Sequence, residues 1–175
     1  MSRRGADAAR LSTQCGPPKA VTVRPATERD LSAVVELRLA LLREHRTNLI
    51  YGQLRPDARV RARRLFAAQL RSPNEVILLA EVGGEVVGIL RCVQSSGLPL
   101  LLPTYYGYIS SVYVTPAARR RGVLRALLAE AVAWCKSRGL TEMRLHNVAD
   151  SEVANAAWEA LGFEIVEHLR VCLLR

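Results

Sequence analysis

A chain of 175 residues, half of them apolar, can build one sizeable core and is too short for two ordinary domains; no apolar run nears the ~20 residues that span a bilayer, so a membrane span is excluded. The formal charge is +9, and with Lys19 and Lys136 the only lysines it is almost wholly arginine, which attracts polyanions without any designed site. The start, Met-Ser-Arg-Arg-Gly-Ala-Asp, lacks the apolar centre of a secretory signal, so a cytoplasmic protein is expected.

Residues 1–20 show neither strand nor helix periodicity and read as a disordered basic tail; a nucleic-acid arm would be denser in charge, so nucleic acid is disfavoured as a partner. Ala20–Arg24 alternates as a strand that Pro25 ends. Thr27, with Glu28 and Asp30 behind it, predicts the start of a helix through about Arg46 whose leucines and valines face a core. A second helix is predicted from Pro56 to Arg71, with Val60, Leu65, Phe66 and Leu70 inward. Residues 75–82 and 85–93 are β-rich runs around Gly83-Gly84, the pattern of a tight hairpin. The apolar loop 95–104 is expected to fold under another element, pack in a dimer or line a pocket.

Tyr105–Val114 reads as a strand, 121 to about 138 as a helix stopped by Gly139, 140–148 as a strand, and 151–161 as a helix stopped by Gly162. Phe163–Val166 and Leu169–Leu174 supply further strand material. The cysteines, Cys15, Cys92, Cys135 and Cys172, show no Cys-x-x-Cys pair and no histidine at ligand spacing; they are read as free thiols, with no metal site.

Between the strand and the helix, Arg119-Arg-Arg-Gly122 forms a basic turn in which glycine allows close approach and the helix start leaves N–H donors free for an anion such as pyrophosphate. Arg119, Gly122 and Leu124 resemble the Arg/Gln-x-x-Gly-x-Gly/Ala motif of the GNAT superfamily of acyl-CoA-dependent N-acetyltransferases, with Leu124 departing from it. Ser151, Ala154, Trp158 and Leu161-Gly-Phe163 resemble that family's second motif, with Ser151 in the place of Asn and Trp158 in the place of Tyr. With the hairpin ahead of them, the likeness covers about residues 21–175, read as one GNAT-like acetyltransferase domain.

The resemblance implies an α/β (α+β) fold: a mixed, mostly antiparallel sheet of six or seven strands, flanked by about four helices, with splayed central strands. It implies acetyl-CoA as co-substrate, with Val112, Tyr113 and Val114 pairing the pantetheine arm and the Val114 N–H facing the thioester carbonyl. Arg119, Arg120, Arg121, Gly122, Val123, Leu124 and Arg125 would hold the pyrophosphate, and Ser151 and Trp158 complete the cofactor-binding set. Leu124 is then expected to be buried with the loop amides free.

The implied reaction is transfer of an acetyl group to an amine of a small molecule or peptide by direct attack. His45, Asn48 and Tyr51 lie in the connection that would border the acceptor, and a homodimer stays open. Trp158 cannot replace a tyrosine acid, because an indole N–H does not titrate. No Asp or Glu lies between Glu85 and Glu130, which excludes a carboxylate base on the strand 105–114. Tyr108 and Ser110 are the favoured catalytic groups, with Tyr105, Tyr106, Tyr113, His45, His146 and Ser111 also weighed. The alternative to an enzyme is a non-catalytic acyl-CoA-binding or regulatory domain, motivated by Leu124, Ser151 and Trp158.

Overall fold

The computed structural model describes residues 20–174; the predicted basic tail therefore lies, but for Ala20, outside the described residues. Five strands form one sheet: β1 (Val21–Pro25), β2 (Glu75–Val82), β3 (Glu85–Ser96), β4 (Tyr105–Val114) and β5 (Met143–Leu145). They lie in the order β1-β2-β3-β4-β5, antiparallel except for the parallel pairing of β4 with β5. Gly83 (φ 62°) and Gly84 (φ 84°) make the β2–β3 turn in the left-handed region, whose twist matches that of the flanking strands.

The helices cover both faces. Helices α1 (Leu31–Glu44) and α2 (Ala58–Gln69) sit on one, where Val34, Val35, Leu39 and Phe66 pack on Ile77, Leu79, Ile89 and Tyr113. Helices α3 (Val123–Ser137) and α4 (Glu152–Glu159) sit on the other, where Val123, Leu127, Ala131, Cys135 and Trp158 pack on Leu78, Leu90, Cys92 and Ile109. Thr27 caps a short 3-10 turn, Glu28–Asp30, that leads into α1: Asp30 accepts from the Thr27 N–H and hydroxyl, and Arg24 binds the same carboxylate at 2.8 Å.

Two register features shape the site. Ile89 faces Tyr113 while Arg91 faces Ser110, so Ser111 (φ 55°) and Val112 together oppose Leu90 in a β-bulge. Beside it, β5 pairs only with Gly107–Ile109. Beyond Ile109 the two strands part, and the second half of β4 presents an open edge.

Four expectations are corrected. On α2, Val60 and Leu65, expected inward, are exposed, leaving Phe66 as the buried contact. The sheet has five strands among the described residues, not six or seven: residues 163–174 carry strand-type sequence but form no ladder, and Ile165, Val166 and Leu169 are exposed. The strand expected over 140–148 pairs at only three residues. The apolar loop after β3 is not folded under another element, since Leu98, Leu100, Leu101 and Leu102 are all exposed.

Candidate active site

The turn entering α3 carries the geometry that the basic sequence predicts. Arg120 (φ 62°) and Gly122 (φ 78°) both adopt left-handed backbone, and Gly122 is the N-cap. Among the described residues, no acceptor lies in hydrogen-bonding geometry for any backbone N–H from Arg120 through Arg125; the first intrahelical bond runs from the Ala126 N–H to the Gly122 carbonyl. Six consecutive N–H donors stand at the positive end of a fifteen-residue helix, an arrangement that favours an anion. Leu124 is half-buried and packs against the core, and Val123 is the fully buried neighbour.

Arg119 is employed differently from its neighbours. Its Nε donates to the Val114 carbonyl at 3.0 Å, its Nη2 binds both oxygens of Glu44 at 2.6 and 2.8 Å, and its guanidinium lies 5.7 Å from the Tyr113 ring centre. Tyr113 donates its hydroxyl to the same carboxylate at 3.3 Å, and burial, then Glu44, pushes its pKa up. Arg119 therefore ties the turn to β4 and to the end of α1, while Arg120, Arg121 and Arg125 stay exposed.

The open edge of β4 faces this turn from the strand side. The Thr115 N–H donates to Val87, so by antiparallel alternation Tyr113 bonds β3 while the peptide groups of Val112 and Val114 point into the gap beside β5. The Val114 carbonyl is held by Arg119, which leaves its N–H available. A peptide-like arm can add to such an edge as an extra strand.

On the α1 side of the sheet, polar side chains gather along the first half of β4. The Tyr108 hydroxyl lies 2.9 Å from Nδ1 of His146, and burial pushes the Tyr108 pKa up. Ser110 accepts from Nη1 of Arg91 at 3.1 Å, and Arg91 pairs in turn with the nearly buried Glu75 of β2. Arg38 of α1 is half-buried near Tyr51, Arg91 and Tyr108, and burial lowers its pKa.

Neither Arg38 nor Glu75 is legible as a site residue in the sequence; the usable signal was an arginine set between Leu37 and Leu39 in an otherwise apolar helix face.

The proposed acceptor residues fall around one cleft. Glu44, His45, Thr47, Asn48, Val148, Asp150 and Ser151 line a cavity of about 310 Å³ between the α1–α2 connection and the start of α4. Tyr51 lies beside His45, with ring centres 6.2 Å apart. Asn48 is also structural, its Oδ1 accepting the N–H groups of Ile50 and Tyr51 at 2.9 and 3.1 Å. Ser151 caps α4 by accepting from the Ala154 N–H. Trp158 is not in the cleft wall: it is 8% exposed and meets Phe163 edge-on at 5.2 Å in the core. No group of three or more potential metal ligands occurs among the described residues.

Comparison with known proteins gives the family and agrees with the fold. Residues 38–163 match the Acetyltransferase (GNAT) family. Over 154 residues the chain is 30% identical to an aminoglycoside N(6')-acetyltransferase type 1 of Stenotrophomonas maltophilia, covering 86% of this chain and 90% of that one. Among solved structures, a predicted acetyltransferase with acetyl-CoA from Clostridium acetobutylicum superposes with a TM-score of 0.72 at 21% identity, covering 87% and 96% of the two chains. An apo aminoglycoside 6'-N-acetyltransferase from Acinetobacter haemolyticus gives 0.70 at 22%, covering 88% and 98%. The chain belongs to the GNAT family of acetyl-CoA-dependent N-acetyltransferases.

Proposed function

We propose that residues 21–175 form a cytoplasmic enzyme that moves the acetyl group of acetyl-CoA to a primary amine of a small molecule by direct attack in a ternary complex. The observation that carries this is the run of unpartnered N–H groups from Arg120 to Arg125 next to the unpaired edge at Val112 and Val114. The residues fit the cofactor: a glycine N-cap in left-handed backbone leaves room at the phosphates, and among the described residues no strand pairs with the Val112–Val114 edge on the β5 side. Acetyl-CoA supplies an activated thioester.

The chain's own residues then divide the remaining work. The loop amides and the exposed Arg120, Arg121 and Arg125 hold the pyrophosphate. The Val114 N–H donates to the thioester carbonyl oxygen, an oxyanion-type contact. The acceptor lies among His45, Asn48 and Tyr51; that it is a small molecule is supported by the relatives named as aminoglycoside acetyltransferases.

Transfer requires the amine to lose a proton and the departing thiolate to gain one. Tyr108, like any tyrosine, is protonated at neutral pH, and burial raises its pKa further, so it is placed to donate only to a strongly basic leaving thiolate; His146 is bonded to it and exposed. Ser110, anchored by Arg91, orients the amine. Amine-dependent release of free thiol from acetyl-CoA, followed over a broad amine panel, tests the reading. Saturable release with some amine is expected; acetyl-CoA binding without any amine-dependent release would defeat it.

A further inference from the structure

We propose that Cys92 and Cys135 form a covalent modification site, at which a peroxide converts the two thiols into an intrachain disulfide that clamps α3 to β3.

The acetyl-transfer chemistry uses neither thiol. Cys92 of β3 and Cys135 of α3 are 0% and 2% exposed, both are free, and their Sγ atoms lie 3.6 Å apart. A disulfide bond of ~2.05 Å needs the sulfurs to close by only about 1.5 Å, within the reach of side-chain rotation and a slight shift of α3. The sulfurs meet over Gly107 of β4. A Cβ at that position would lie 2.5 Å from Sγ of Cys135 and 3.4 Å from Sγ of Cys92, so any other residue would drive into the pair. Glycine weakens a strand interior and often marks the close approach of another group; here that group is the two sulfurs.

Leu90, Ile109, Leu128 and Ala131 complete an apolar surround that keeps bulky reagents out. Cys135 stands in the last turn of α3, which ends at Ser137, and helix ends fray. Such opening admits a peroxide, which is little larger than water. Sγ of Cys135, as thiolate, attacks one peroxide oxygen; the O–O bond breaks, the departing hydroxide takes up the thiol proton as water, and Cys135 becomes a sulfenic acid. Sγ of Cys92 then attacks that sulfur, the S–S bond forms, the S–O bond breaks, and a second water leaves. Two thiols lose two electrons, and one peroxide is reduced to two waters.

Cys92 and Cys135 are 43 positions apart and bracket β4 and the Arg119–Arg125 turn. The cross-link therefore closes a loop around that whole stretch and restricts its unfolded state. It sits thirteen residues along α3 from Gly122, about 20 Å at the helical rise, so the Arg120–Arg125 amides keep their arrangement. In a reducing compartment the pair stays as thiols and closes only on exposure to peroxide.

The test uses the full chain with Cys15→Ser and Cys172→Ser, alongside the unaltered chain. Each is treated with hydrogen peroxide under native conditions, quenched with catalase, blocked with iodoacetamide in denaturant and mapped by mass without reduction. A mass lower by two hydrogens, a peptide joining Cys92 to Cys135, and reversal by dithiothreitol are expected. The oxidised chain should unfold at a higher denaturant midpoint than the reduced one and bind acetyl-CoA with the same affinity. Iodoacetamide applied to the unaltered native chain should alkylate Cys172 and spare both buried thiols. Intact Cys92 and Cys135 thiols after peroxide has oxidised Cys172 would overturn the proposal. So would sulfinic or sulfonic acids without a cross-link, a cross-link that forms only in denaturant, or an oxidised chain that is no more stable than the reduced one.

Discussion

The hydroxyl of Tyr108 lies 2.9 Å from Nδ1 of His146, joining β4 to the chain just beyond β5 at the point where the two strands begin to part. That contact joins a tyrosine of a strand that contains no acidic residue to a histidine of the neighbouring segment. Burial, the first cause of the Tyr108 shift, disfavours the phenolate, so the protonated form persists to a higher pH than in free tyrosine.

Tyr108→Phe should lower kcat by about a hundredfold or more, the usual contribution of a positioned proton donor, with acetyl-CoA affinity retained. The pH profile provides the check. The unaltered chain should lose activity on the alkaline side only above the ordinary tyrosine value of ~10, and Tyr108→Phe should remove that limb. His146→Gln should give a smaller fall in kcat.

Gly122 stands at φ 78° with nothing within 4 Å of where a Cβ would sit, so a side chain there meets conformational strain and no clash. Gly122→Ala should cost about 1–2 kcal/mol of stability in denaturant unfolding, and Gly122→Asn less, because Asn tolerates left-handed backbone. Gly122→Asp should weaken acetyl-CoA binding by at least about tenfold in calorimetry, since it sets a carboxylate against the pyrophosphate among the Arg120–Arg125 amides.

Asp30 is held well below the usual carboxylate range, first by the Arg24 side chain and against the opposing effect of burial, with Thr27 adding hydrogen bonds. A lowered folded-state pKa stabilises the fold fully above the unfolded value of ~3.9, and that contribution is lost as pH falls through the folded value. Asp30→Asn should therefore cost about 1–3 kcal/mol near neutral pH, with the gap narrowing below about pH 4. Denaturant midpoints across pH measure it.

Trp158 is a packing residue of the α3–α4 face, edge-on to Phe163. Trp158→Ala should cost about 3–5 kcal/mol in unfolding experiments. Trp158→Phe should leave the pH profile of kcat unchanged, because the indole moves no proton.

The sequence made local features legible and left cross-strand ones hidden. The Gly83-Gly84 hairpin, the basic turn and the helix that follows it rest on signals within a few residues, and all three formed. Leu161-Gly-Phe163 closes α4 as expected, with the Phe163 N–H bonded to the Trp158 carbonyl. The terminal strands failed because strand propensity without a neighbour makes no ladder, as residues 163–174 show. Arg38 and Glu75 were invisible for a related reason. Periodicity assigns an arginine on a helix to solvent, and only the folded sheet brings Arg91, Ser110 and Tyr108 into its neighbourhood. Arg119 shows the converse: the motif marks the position, while the structure shows its side chain committed to Glu44 and Val114.

Initial rates with acetyl-CoA and an amine varied together test direct attack most directly. Intersecting double-reciprocal lines, with no acetylated protein detectable by mass before amine is added, are the predicted result. Parallel lines together with an acetylated form of the chain would contradict it.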